Sequence, residues 1–130
     1  MVSDTVGDFI IQLKNAGAVG KGHVSVPYSK LRAAIANKLK DAGYIEAAEV
    51  NTKKQFKTLE VTLKFADKKH YINGVKRVSK PGRRLYKKVG DIHPVKFGKG
   101  HTILSTPAGI LTGEEAREKN VGGEELFIIW

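Results

Sequence analysis

The sequence predicts an α+β fold: an N-terminal helix-strand-helix-strand-strand half packed against a mainly β C-terminal half with one short helix. Three observations predict it. Apolar residues recur at helical spacing in two stretches before Gly43, and they alternate at period two over residues 59–65. From Pro81 onward, short apolar runs are separated by Pro and Gly turns, with one helix-start motif at Thr112. The boundary falls within residues 66–80, dividing the chain into 1–70 and 71–130. Each half is small for a core of its own, so the two are expected to pack together.

The first helix follows from Val6, Phe9, Ile10 and Leu13, which form one buried stripe at i, i+3, i+4, i+7. Ser3 or Asp4 supplies its cap, and Gly17 suits the left-handed position that ends helices. Residues 17–26 (GAVGKGHVSV) read as a Gly-rich connection. Pro27-Tyr28-Ser29 opens a second helix with Ser29 as cap. Its apolar face is Leu31, Ala34, Ile35, Leu39 and Ala42, Gly43 stops it, and Lys30, Arg32, Lys38 and Lys40 make its outer surface basic.

Tyr44–Val50 reads as a strand. In the next, Leu59, Val61, Leu63 and Phe65 alternate with Glu60, Thr62 and Lys64, which gives one packed and one polar face. Asp67-Lys68-Lys69 turns the chain into a strand around Tyr71–Ser79. After the Pro81-Gly82 turn come a short strand over Arg83–Val89 and a loop over Gly90–Gly100. Strands at Thr102–Ser105 and Ile110–Leu111 then flank Thr106-Pro107-Ala108-Gly109. Thr112-Gly113-Glu114-Glu115 fits a capping box, so a short helix covers Glu114–Lys119 and ends near Asn120. Gly122-Gly123 leads into a last strand, Glu124–Trp130.

The 130 residues carry 23 Lys plus Arg against 13 Asp plus Glu, a net charge of +10 that calls for a polyanionic partner. The charge is unevenly placed. Residues 9–40 hold six basic residues and no acid, residues 76–99 hold nine against Asp91 alone, and residues 100–130 carry a net −3. Such sidedness points to a polyanion-binding face rather than a uniformly solvated surface. The absence of Cys excludes disulfides and thiol chemistry. No window approaches the ~18–20 apolar residues of a membrane span. The start shows neither a basic-then-apolar leader nor an Arg-rich transit pattern, so a cytoplasmic protein with no membrane partner is expected.

Catalytic signatures fail. Gly20-Lys21 and Gly98-Lys99 have Asn15 and His93 where a phosphate-binding loop needs its first Gly, and neither Gly-x-Gly is completed at the third position beyond. His23, His70, His93 and His101 have no partner at i+3 or i+4, so no helical metal pair exists. Glu114, Glu115, Glu118, Glu124 and Glu125 read as a solvated face plus a cap. No enzyme activity, catalytic residue, metal or cofactor is expected.

Three local features go beyond bulk charge. In Arg77-Val78-Ser79-Lys80-Pro81-Gly82-Arg83-Arg84-Leu85-Tyr86-Lys87-Lys88, a strand after the turn puts Arg84, Tyr86 and Lys88 on one face. Cations in this stretch, Lys87 included, suit phosphates, and a Tyr ring can stack on an exposed base; the bland alternative is a Tyr that fills the core. Ser105-Thr106 beside Pro107-Ala108-Gly109 offers hydroxyls and main-chain amides at a turn that a nucleic-acid backbone can approach. Gly122-Gly123-Glu124 is a second close-approach turn, carrying a carboxylate that can accept from base amino groups. Two other readings compete: a sequence-tolerant basic DNA-binding protein, and a module whose acidic C-terminal helix docks on a protein.

The stretch Gly100-His101-Thr102-Ile103-Leu104-Ser105-Thr106-Pro107-Ala108-Gly109-Ile110-Leu111-Thr112 closely resembles the signature of the universal small-subunit ribosomal protein S8 family. Arg77-Val78-Ser79-Lys80-Pro81-Gly82, Leu85-Tyr86-Lys87 and Gly122-Gly123-Glu124 also resemble it. So do Asp8-Phe9-Ile10, Pro27-Tyr28-Ser29-Lys30-Leu31 and Gly43-Tyr44-Ile45-Glu46, so the likeness spans the chain, in the bacterial form. The resemblance implies a structural constituent of the small ribosomal subunit that is a monomer when free. Such a protein binds the central domain of 16S rRNA early in assembly and contacts neighbouring small-subunit ribosomal proteins. It also represses translation by binding its own operon's mRNA. It implies RNA contacts at Tyr86, at Ser105 and Thr106, at Gly122, Gly123 and Glu124, and at Ser29 and Lys30 near the second helix's start. One departure stands out: Pro107 and Ala108 replace the family's Ser-Lys, which removes a hydroxyl, a cation and an amide proton.

Overall fold

The computed structural model describes residues 4–52, 55–66, 69–70, 72–93 and 100–130. The α+β class is as expected, and the chain forms two compact units: Asp8–Asn73, and Gly74–Trp130 together with Met1–Gly7. Each has its own antiparallel sheet.

Helix α1 (Thr5–Ala18) starts where Asp4 Oδ1 accepts the Gly7 N–H at 3.0 Å, which satisfies one of the amides a helix start leaves unpaired. Ser3, the other cap candidate, lies outside the described residues. The helix continues one residue beyond Gly17, and the left-handed residue is Gly20 (φ 76°). Its stripe of Val6, Phe9, Ile10 and Leu13 is buried. The last four residues of the segment read as a Gly-rich connection belong to a strand. This is β1 (His23–Pro27), with only Val24 and Val26 turned inward.

Ser29 caps α2 (Lys30–Asp41) by accepting the Arg32 N–H at 3.1 Å, and Gly43 (φ 93°) lets the chain turn away. The buried face is Ile35, Ala36 and Leu39. Leu31, expected inside, is exposed because it sits in the first turn, ahead of where the helix is covered. Strands β2 (Ile45–Asn51) and β3 (Thr58–Leu63) complete the sheet in the order β1-β3-β2. In β3 the expected alternation buries Leu59, Val61 and Leu63. Phe65–Ala66 (β4) and Lys69–His70 (β5) form a small hairpin of their own; Asp67 and Lys68, assigned to that turn, lie outside the described residues.

In the other unit, β6 (Val75–Arg77), β7 (Tyr86–Lys87), β8 (His101–Thr106), β9 (Gly109–Thr112) and β10 (Gly123–Ile129) share one sheet. Two expected strands prove shorter. Of the strand expected over 71–79, Val75–Arg77 is regular ladder and further backbone hydrogen bonds carry it to Gly74 and Ser79, while Tyr71 lies outside the described residues. Of 83–89 only Tyr86–Lys87 is strand, because residues 80–84 leave the sheet. The loop expected over Gly90–Gly100 opens with a single 3-10 turn at Val89–Asp91, and residues 94–99 lie outside the described residues. The capping box is present: Thr112 Oγ1 accepts the Glu115 N–H at 3.3 Å and Glu115 Oε1 accepts the Thr112 N–H at 3.2 Å, which starts α3 (Gly113–Glu118). Asn120 (φ 57°) ends that turn. Ile92, Leu104, Leu111 and Ala116 form a buried cluster with Val121 packed on it. No helix among the described residues is long and apolar enough to cross a membrane.

Candidate nucleic-acid interface

Strand β10 organises the site, because β8 takes one of its edges while β6 and β7 share the other. The chain runs along that shared edge from Val75 to Ser79, departs, and rejoins it at Leu85. Both ends of the excursion bond to one residue. The Ser79 N–H donates to Glu125 O, and the Glu125 N–H donates to Leu85 O, each at 3.0 Å. Between them Lys80 and Arg83 exchange backbone hydrogen bonds at 3.0 and 2.9 Å around Pro81-Gly82, the sequence that a tight turn favours. Lys80, Arg83 and Arg84 are thereby exposed on a five-residue loop, and no described carboxylate pairs with Arg83. Lys96 and Lys99, which sequence places in the same basic stretch, lie outside the described residues.

Across the sheet, Tyr86 faces Glu124, Glu124 faces Ser105, and Ser105 faces Ile110. Residues opposed in antiparallel strands project from the same side, so Tyr86, Glu124 and Ser105 form one cross-strand row. The Tyr86 ring is 70% exposed, which removes the reading of it as a core residue. Ser105 is half-buried, and among the described residues no hydrogen bond engages its hydroxyl. The row exists because its neighbours have no side chain. A Cβ on Gly122 would lie 2.4 Å from Lys87 O, and one on Gly123 would lie 2.2 Å from Ser105 O. The Gly-Gly pair thus lets β7 and β8 close on both edges of β10.

Glu124 is held rather than loose. Its Oε2 accepts from Ser79 Oγ at 2.5 Å and from Arg84 Nη1 at 3.0 Å, and Ser79 Oγ in turn accepts the Leu85 N–H at 3.1 Å. Burial would push the Glu124 carboxyl up, but the hydrogen bonds from Ser79 and Arg84, with the Arg84 and Arg77 charges, outweigh it and hold the group below its ordinary value. It is therefore an anionic acceptor at neutral pH.

Thr106 behaves differently from Ser105. Its hydroxyl donates to Gly109 O at 2.8 Å and accepts the Ala108 N–H at 3.1 Å, fastening the hairpin turn from within. Pro107 and Ala108 lie exposed at the tip, and Thr106 supplies the turn's bonds without an amide from Pro107. Lys87 projects from the opposite face to Tyr86, with Nζ 3.6 Å from Glu125 Oε2, a buried carboxylate beneath the row. Ser29 and Lys30 belong to the Asp8–Asn73 unit, where the Ser29 hydroxyl is occupied as a helix cap and Lys30 is exposed.

Sequence reasoning does not single out Ser79, which is fully buried between the loop and β10. Its one legible signal is a small hydroxyl residue directly before a Lys-Pro-Gly turn, where such side chains bond local backbone. Among the described residues no group of three or more His, Asp or Glu is placed to hold a metal ion. His23 instead contacts Glu60, with Nε2 2.7 Å from Oε2.

The site's chemistry is thus an exposed aromatic ring, a free hydroxyl, a fixed carboxylate and a cationic loop on one sheet. Residues 4–130 match the family model described as ribosomal protein S8. Among curated relatives, the small ribosomal subunit protein uS8 of Roseiflexus castenholzii is 43% identical over 130 residues, covering 99% of this chain and 98% of the relative. That of Chlorobaculum tepidum is 45% identical with the same coverage. The uS8 protein of Hyphomonas neptunium is 45% identical over 125 residues, covering 96% and 95%.

Proposed function

The chain belongs to the ribosomal protein S8 family, and on that premise we propose that it is a structural constituent of the small ribosomal subunit, not an enzyme, and binds the central domain of 16S rRNA. The observation that carries this reading is the cross-strand row of Tyr86, Glu124 and Ser105 beside the Lys80–Arg84 loop. Lys80, Arg83 and Arg84 neutralise phosphates, which supplies affinity without sequence preference. Tyr86 stacks on an unpaired base, Ser105 Oγ donates to or accepts from a base or ribose edge, and Glu124 accepts from a base amino group. An irregular RNA helix with splayed bases satisfies all three; regular duplex offers no base face to Tyr86. Ser29 and Lys30 add a second contact from the N-terminal unit. The same face binds a like-folded segment of the protein's own operon mRNA, and neighbouring small-subunit proteins complete its surroundings on the cytoplasmic ribosome.

Footprinting purified protein on small-subunit rRNA tests this directly. Protection confined to a bulged helix of the central domain is expected, and that fragment should outcompete duplex DNA at physiological salt. Equal competition by DNA would replace this reading with sequence-tolerant DNA binding.

A further inference from the structure

A loop that must present cations and a carboxylate to RNA loses conformational entropy on binding unless it is ordered beforehand. The Lys80–Arg84 loop departs from β10 at Ser79 and returns at Leu85, and one side chain spans the gap. Ser79 Oγ accepts the Leu85 N–H at 3.1 Å and donates to Glu124 Oε2 at 2.5 Å. Arg84 Nη1 donates to the same Glu124 oxygen at 3.0 Å. A hydroxyl has one donor and two acceptor positions, so Ser79 joins loop end and carboxylate with a single group. Oε2 is thereby occupied, while no described group bonds Oε1, which is the acceptor left for a ligand. Ser79 has no exposed surface and cannot itself touch RNA.

We propose that Ser79 is a positioning residue of the RNA interface: acting through Leu85 and Glu124, it sets the cationic loop and the Glu124 carboxylate in their RNA-bound arrangement before RNA arrives. This rests on the RNA-binding reading above. Ser79 contributes no charge, so its influence falls on selective binding and not on the general attraction to polyanions. Its effect also runs through Glu124, so removing Glu124 removes most of what Ser79 does.

The test measures affinity of the full chain for a central-domain rRNA fragment and for duplex DNA of equal length, at one salt concentration and well below each protein's melting temperature. Ser79→Ala, Glu124→Ala and the double variant are compared with wild type. Ser79→Ala should weaken rRNA binding roughly tenfold, the scale of a lost bond to a charged group, and leave DNA binding within about twofold. The double variant should bind rRNA within about twofold of Glu124→Ala alone. Ser79→Cys keeps a single polar group on the same carbon, somewhat larger and a much weaker donor. It should match Ser79→Ala, and it carries the test if the alanine variant does not fold. In either variant the Leu85 amide should exchange faster with solvent. Wild-type affinity for rRNA in Ser79→Ala, multiplying losses in the double variant, or equal losses on rRNA and DNA would each overturn the proposal. A wild type with no preference for rRNA would sink the RNA reading itself, whereas failure in the variants alone sinks only the role of Ser79.

Discussion

Gly123 packs against the backbone of Ser105 so closely that a Cβ at position 123 would stand 2.2 Å from the Ser105 carbonyl oxygen and 3.0 Å from Thr106 Cγ2. Real Cβ atoms do not approach backbone so nearly, and β8 cannot retreat without breaking its ladder to β10. Gly123→Ala should therefore cost about 1–3 kcal/mol of stability through forced backbone shifts. It should also weaken rRNA binding, because the strand that carries Ser105 has to move. Urea denaturation and binding on the same preparation check both; an unchanged midpoint would contradict the packing argument.

Tyr86 is held by only two ladder residues and has little side-chain contact to lose, being 70% exposed. Tyr86→Ala should leave the melting temperature nearly unchanged while costing ~1–3 kcal/mol in rRNA binding, the scale of a lost base stack. Tyr86→Phe should retain most of the affinity. A large fall in thermal stability with intact binding would return Tyr86 to a packing role.

Ser105 and Thr106 should separate cleanly. The Ser105 hydroxyl has no bond to lose among the described residues, so Ser105→Ala should weaken RNA binding by ~1 kcal/mol and leave folding alone. The Thr106 hydroxyl fastens the turn through Gly109 and Ala108, so Thr106→Val should destabilise the fold by ~1 kcal/mol and lower binding as a consequence. Thermal melts beside binding isotherms decide it. Identical profiles for the two variants would show that the hydroxyls do not differ in this way.

Arg77 grips Asp4 through Nε at 2.9 Å and Nη2 at 3.0 Å, and its Nη1 donates to Leu126 O. Burial pushes the Asp4 carboxyl up. The Arg77 and Gly7 hydrogen bonds and the Arg77 and Lys80 charges overcome that and hold it below its ordinary value. Folded protein thus binds fewer protons at Asp4 than unfolded protein does. The resulting stability is fully present above the unfolded value near ~4, and it is lost as pH falls through the lower folded value. Melting temperatures of wild type should fall more steeply below pH ~4 than those of Asp4→Asn, converging in strong acid. Parallel curves would deny the coupling.

Much of this architecture is legible in sequence because it is local. The stripe Val6-Phe9-Ile10-Leu13, the Ser29 cap, the alternation through Leu59, Val61 and Leu63, and the Thr112–Glu115 capping box each declare themselves within a few residues. Strand β1 does not, since only Val24 and Val26 turn inward and glycines precede them. Arg83 and Arg84 read as strand for a related reason: nothing in residues 83–89 records that pairing resumes only opposite Glu125. Within the site, residue type and spacing place Tyr86 between two cations, with a core role still open, and a turn over Thr106–Gly109. They cannot indicate that the Thr106 hydroxyl is spent on its own turn or that Glu124 is tied to Ser79, because those partners are fixed by tertiary approach.

Departure and return of the Lys80–Arg84 loop at a single residue of β10 make that segment an interchangeable cassette. Its length and composition can vary without shifting any rung of the ladder, so reach and charge toward RNA can be tuned by grafting in this loop alone. Strand β10 has no such freedom. Deleting Gly123 or Glu124 would slide the start of the strand by one residue and break the row that joins Tyr86 to Ser105 through Glu124, whereas farther along a register shift already separates Glu125 from Phe127 against β8. Insertions are therefore tolerable between positions 80 and 84 and ruinous at 123 and 124, an asymmetry a library of loop chimeras could exploit.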